Sequence, residues 1–187
     1  MGETRSQKIA ITDLYGEKIA SIDEYVHGIV MIDVMHREIH EGEAFIVTKA
    51  WAAVGDDGVK KIQIETDSTT AAHLVFSGAC GGSFYGKIYT VPTHDAGTEV
   101  IPMNMNLGSI NVSGVAVLVD PSGGADGTMA QEFLFPGGEK KAAGGAGSGD
   151  RDEFIIPPNT KFMVEVKNVA GDAQDLWIGL EWYEVTS

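Results

Sequence analysis

Cysteine is almost missing from this chain: Cys80 stands alone in 187 residues. One thiol excludes an internal disulfide and a cysteine-built zinc cage, and it points to a reducing compartment of origin. Positive charge is scarce too, with 13 Lys and Arg against 27 Asp and Glu and a net charge of −14. Phosphate backbones are held by clusters of basic side chains. The paired basics here, Lys60-Lys61 and Lys140-Lys141, lie close to acids or glycine, so nucleic acid is not expected as a direct partner. An acidic surface fits a self-repelling, soluble body, or one that docks on a basic surface. No apolar run reaches the roughly 20 residues of a membrane helix, and residues 1–8 lack the basic-then-apolar pattern of a secretion signal. No membrane association is expected, and the sequon at Asn111-Val112-Ser113 reads as unused.

Catalytic signatures are also missing. Gly81-Gly82-Ser83-Phe84-Tyr85 fails the last position of a nucleophile elbow. The glycine-rich stretch 137–149 has neither a P-loop nor a dinucleotide fingerprint, and it reads as a loop too poor in side chains to pack. His36 and His40, with Glu38, Glu41 and Glu43 nearby, would share one face of a helix as zinc ligands do. Residues 36–42 read instead as a polar turn. His27, His73 and His94 are scattered and show no partners in the sequence. The acidic groups Asp56-Asp57, Asp150 with Asp152-Glu153, and Asp172 with Asp175 fall in turns, where Asp is favoured. No enzyme activity, metal or cofactor is expected.

What is present is alternation. In residues 162–167, Phe162, Val164 and Val166 alternate with Met163, Glu165 and Lys167; in residues 176–183, Leu176, Ile178, Leu180 and Trp182 alternate with Trp177, Gly179, Glu181 and Tyr183. Period 2 marks strands with one face on a core. Similar strands are expected at 44–54, 59–66, 71–77, 83–91, 115–119, 130–135 and 154–156. Gly55-Asp56-Asp57-Gly58 gives a hairpin signal between the first two, residues 92–97 a loop, 99–103 a short segment and 104–114 an Asn/Ser-rich loop. Residues 25–35 fit a strand or a short helix. Many short strands without alternating helices predict an all-β fold, an antiparallel β-sandwich of jelly-roll type. Residues 1–22 read as an extended N-terminal arm and residues 23–187 as the sandwich domain. Trp51, Phe84, Trp177, Trp182 and Tyr183 are the candidate contact aromatics, and those on the alternating inner face, such as Trp182, read as core. Trp177 and Tyr183 fall on the face opposite Trp182, so one of them suits an interface anchor.

Several segments resemble a family of small structural proteins of tailed bacteriophages, encoded close to the major capsid protein. They are 151–156 (RDEFII), Pro158-Asn159-Thr160, 162–168, Gly171 and 178–184 (IGLEWYE), together with 39–45 (IHEGEAF) and 89–106 (YTVPTHDAGTEVIPMNMN). The resemblance runs from about residue 39 onward and departs after Asn106, where Leu107-Gly108 stands in place of an arginine. It implies a capsid decoration or cement protein with a β-sandwich body, often trimeric. Such a protein has the major capsid protein as partner, is made in the host bacterial cytoplasm and resides on the virion surface. On that reading the arm, through Ile9, Ile11, Ile19 and Ile22, reaches across neighbouring capsid subunits, and Trp177 and Tyr183 are further contact candidates. The alternative is a carbohydrate- or receptor-binding module on a head or tail fibre, which calls for aromatics exposed together.

Overall fold

The alternating pattern folds as expected, but its strands pair in an order that the sequence does not announce. The computed structural model describes residues 10–12, 18–22, 29–31, 34–135, 142–145 and 153–186. Its elements are β1 (Ala10–Thr12), β2 (Lys18–Ile22), β3 (Ile29–Met31), α1 (Val34–Glu41), β4 (Ala44–Val54), β5 (Val59–Thr66), β6 (Thr70–Cys80), β7 (Phe84–Thr90), β8 (Ala96–Glu99), β9 (Met103–Asn104), β10 (Val115–Ser122), β11 (Thr128–Phe135), β12 (Ala142–Gly145), β13 (Glu153–Ile156), β14 (Lys161–Asn168) and β15 (Gln174–Thr186).

One sheet runs β11-β7-β14-β5-β10-β8 and the other β12-β6-β15-β4-β9, with β13 also pairing along β6. Without β8, β9 and β10, and with β12 and β13 sharing one strand position, the sheets are β5-β14-β7-β11 and β4-β15-β6-β12/β13. Successive strands alternate between them except at β7 and β11, which follow one another in the same sheet and pair there; this is the eight-stranded jelly roll. The β8–β10 insertion widens both sheets at one end. Every sandwich pair is antiparallel, and none joins strands adjacent in sequence. β1 and β2 fall in the segment expected to be an arm and β3 in the 25–35 segment expected to be a strand or short helix; the three pair antiparallel in that order.

The core lies between the inner faces. Phe45, Leu74, Phe76, Leu176, Ile178, Leu180 and Trp182 come from one sheet, and Ile62, Ile64, Phe84, Ile88, Val117 and Val164 from the other. Each such side chain contributes ~1.5–3 kcal/mol by leaving water. Trp182 stacks on Phe45 at 6.2 Å.

Four local expectations are corrected. The turn at 55–58 is not a hairpin, because β4 and β5 lie in different sheets. Buried Asn168 holds it as a crossover: its side-chain amide donates to the Val54 and Gly55 carbonyls, and its backbone bonds Asp57 and Gly58. Residues 36–42 are helix rather than turn. Helix α1 sets Met35 and Ile39, four apart, on Ala44 and Tyr183. It ends in a Schellman cap, with Gly42 N–H bonded to Ile39 O, Glu43 N–H to Glu38 O and Gly42 at φ +81°. Within 92–103 the structure adds edge strands β8 and β9. Within the glycine-rich stretch, β12 pairs with β6; a ladder needs only backbone, so small residues suffice there.

Candidate functional site

Segment 101–112, which contains β9 and leads toward β10, carries five of the exposed large apolar side chains of the described residues. Ile101 is 87% exposed, Leu107 83%, Ile110 95% and Val112 82%, with Met103 also exposed. Scattered apolar residues are normal on a surface, but a contiguous cluster marks an interaction site.

Asparagines hold this loop in place. Asn104 Nδ2 donates to Gly42 O at 2.7 Å, and Asn106 Nδ2 to His40 O at 3.2 Å. Asn111 Nδ2 donates to Glu43 Oε1 at 2.9 Å and to Gly42 O at 3.3 Å. Met105 N–H donates to Ala44 O. All of these acceptors belong to the helix end, its cap and the start of β4. At the far end of the loop, Ser113 Oγ, Gly114 N–H and Trp182 Nε1–H all donate to the buried Glu184 carboxylate, the last two at 2.9 and 3.0 Å. The polar side chains point inward to fasten the loop, and the apolar ones are left outward.

Gly42 is the pivot. A Cβ there would meet the Ser109 side chain, 2.9 Å from its Cβ, at a positive φ that L residues avoid. Gly42→Ala is expected to cost about 1–2 kcal/mol and to release the loop, seen as faster amide exchange across 104–113. Unchanged exchange would show that the loop does not depend on the cap.

A second cluster lies on the outer face of the β5-β14-β7 sheet. Lys61 Nζ sits 2.6 Å from Asp126 Oδ1 and 3.2 Å from Glu165 Oε2. His94 Nε2 is 2.8 Å from the same Asp126 oxygen. Burial pushes the Asp126 carboxyl up, but hydrogen bonds from Lys61 and His94 win and hold it below the usual carboxylate range. Burial, then the charge of Glu165, pushes the Tyr89 phenol up to about 12. A folded pKa above the ordinary value near 10 gives a stability contribution that is complete below pH ~10 and fades as pH rises through about 12. Ultraviolet titration is expected to show one tyrosine ionising late, and Tyr89→Phe to remove that component. A curve unchanged by Tyr89→Phe would overturn the assignment.

Among the described residues no nucleophile is hydrogen-bonded to the His94–Asp126 pair, and Cys80 is buried in the core with its thiol pushed up by that burial. His36 and His40 do share a helix face, with Nε2 atoms 3.1 Å apart. Among the described residues, however, no three His, Cys, Asp or Glu converge as metal ligands.

Of the contact candidates read from sequence, Ile9 lies outside the described residues. Ile11 falls in β1, and Ile19 and Ile22 in β2, with backbone alone described. Trp177 is part-exposed and lies across Gly179. Tyr183 is buried, because α1 covers its face of the sheet; its ring stacks on His73 at 4.5 Å and its hydroxyl lies 2.9 Å from His73 Nδ1. It is thus an intramolecular packing residue rather than an open anchor. Sequence reasoning missed Ile101, Leu107, Ile110 and Val112. The available signal was four large aliphatics interleaved with Asn, Ser and Gly in a segment with no strand period. No protein-family model matches this chain, and no curated protein matches its sequence.

Proposed function

We propose that this protein is a structural component of a tailed-bacteriophage virion, a non-enzymatic cement or decoration protein seated on the outside of the capsid. Its partner is the major capsid protein, and it acts as a homotrimer that bridges neighbouring capsid subunits. It is made in the host cytoplasm and resides on the capsid surface. The observation that carries this reading is the 101–112 loop, whose aliphatic side chains are held open to solvent by bonds to α1, β4 and Glu184. A surface prepared before contact loses little entropy on docking. The net charge of −14 favours a basic docking surface.

The mechanism needs no turnover. A protein that binds only the assembled shell stabilises that shell by mass action, and several contacts per oligomer multiply through avidity. The test is co-sedimentation of purified protein with undecorated capsids. Pelleting only with capsids, saturating at a copy number that fits a symmetry axis, supports the reading. Absence of pelleting sinks it and moves glycan or host-surface binding to the front.

A further inference from the structure

Next to the 101–112 loop, the outer face of the β5-β10 region contains a cavity of ≈ 470 Å³. Two of its lining residues are deeply buried polar side chains, Gln63 at 1% and His94 at 6% exposed. Gln63 Nε2 donates to the His94 carbonyl at 3.1 Å, and Gln63 Oε1 has no hydrogen-bond partner. His94 Nε2 bonds Asp126, and His94 Nδ1 is likewise without a partner. In the tautomer that gives its Nε2 hydrogen to Asp126, the ring carries its lone pair at Nδ1. Two buried side chains that line one cavity therefore each keep an unmatched polar atom just beneath its surface, which native structures seldom leave uncompensated.

The remaining lining limits what can match them. Glu65, Asp95 and Glu99 contribute carboxylates, against one cation, Lys161, which Glu65 and the His94 carbonyl already hold at 3.3 Å each. Ile101 and Val112 form apolar walls that continue into the exposed loop. The complement is a cation with several N–H donors in a fixed plane on an apolar stem. Ammonium groups offer a compact point charge, whereas guanidinium offers five donors in a fork and stays charged throughout.

We infer that this cavity is a receptor for an arginine side chain presented by the protein surface on which the 101–112 loop seats. The inference rests on that loop being the contact face, and it adds what the partner must carry there. The apolar loop supplies contact area, and the cavity sets register by demanding an arginine at one point.

The probe is N-acetyl-arginine amide, added to the isotopically labelled full chain and followed by amide and imidazole NMR shifts. Its neutral near-isostere, N-acetyl-citrulline amide, is the control. Saturable shifts are expected at His94, Glu99, Ile101 and Val112, with affinity in the millimolar range usual for so small a ligand. Citrulline is expected to bind at least about tenfold more weakly, and the exposed-site variant Glu99→Gln to weaken arginine binding about threefold, since a partly solvated charge contributes modestly. Equal shifts from both probes, or none at these residues up to about 100 mM, well past that range, would overturn the proposal. Pelleting with capsids alongside a silent arginine titration removes the receptor and leaves the cement reading standing; the reverse result removes only the cement reading.

Discussion

Replacing Ile101, Leu107 and Ile110 together by serine is expected to abolish pelleting with capsid shells while leaving thermal unfolding nearly unchanged. Burying each aliphatic side chain is worth ~1.5–3 kcal/mol. Even half of that, summed over three residues, weakens each contact by roughly fortyfold to two-thousandfold. In the free protein the same side chains are 87%, 83% and 95% exposed, so they contribute little to folding. Surface substitutions of this kind stay within about 0.5 kcal/mol, a shift of roughly 2 °C for a domain of this size. Serine leaves the net charge untouched, so a loss of binding cannot be ascribed to added repulsion. Binding retained within a few-fold would show that the loop is not the contact face. A large fall in melting temperature would show that it is packed against something within the chain.

Glu184→Ala is expected to be the most destabilising single change that leaves the main core side chains intact. The Glu184 carboxylate takes hydrogen bonds from Ser113 Oγ, Gly114 N–H and Trp182 Nε1–H. Trp182 is fully buried, so its donor cannot turn to water when the acceptor is removed. An unmatched buried donor costs ~1–3 kcal/mol, and bonds to charged groups lie at the upper end. Ser113 and Gly114 are part-exposed and recover some hydration. The sum is about 3 kcal/mol, a large share of the 5–15 kcal/mol typical of a whole domain. Calorimetry is expected to show a melting point lower by roughly 6–12 °C, and amide exchange at 113–115 to accelerate with it. A loss under about 1 kcal/mol would show that the three donors find other partners.

The strands are legible because a core-facing side imposes period 2, and the sequences of β14 and β15 carry it, although Met163 and Glu165 on the other face of β14 are buried as well. The partners of the strands are not, because period 2 says nothing of sequence separation. Gly55-Asp56-Asp57-Gly58 has hairpin chemistry, yet Asn168, more than a hundred residues on, turns it into a crossover. Tyr183 was assigned to an open face because alternation places it opposite Trp182. That face is covered by a helix of eight residues, too short to build a persuasive 3.6-residue period. The partners of His73 and His94, Glu153 and Asp126, stand 80 and 32 residues away, and no local pattern connects them. The candidate surface was hidden for a related reason. Asn104, Asn106 and Asn111 read as turn formers, and only the fold shows them bonded to a helix end that leaves the aliphatics between them facing out.

The position of β15 has a kinetic consequence. It lies between β4 and β6 and pairs Phe45 with Trp182 and Leu74 with Trp182, so one sheet cannot close until residues near both ends of the domain have met. Folding dominated by such distant pairings is slow, in the millisecond-to-second range. A chain still being translated, and not yet past residue 174, would present β4 and β6 as two long open edges that can template pairing with other chains. Yield during expression should therefore depend on translation rate and temperature more steeply than the stability of the finished domain would suggest.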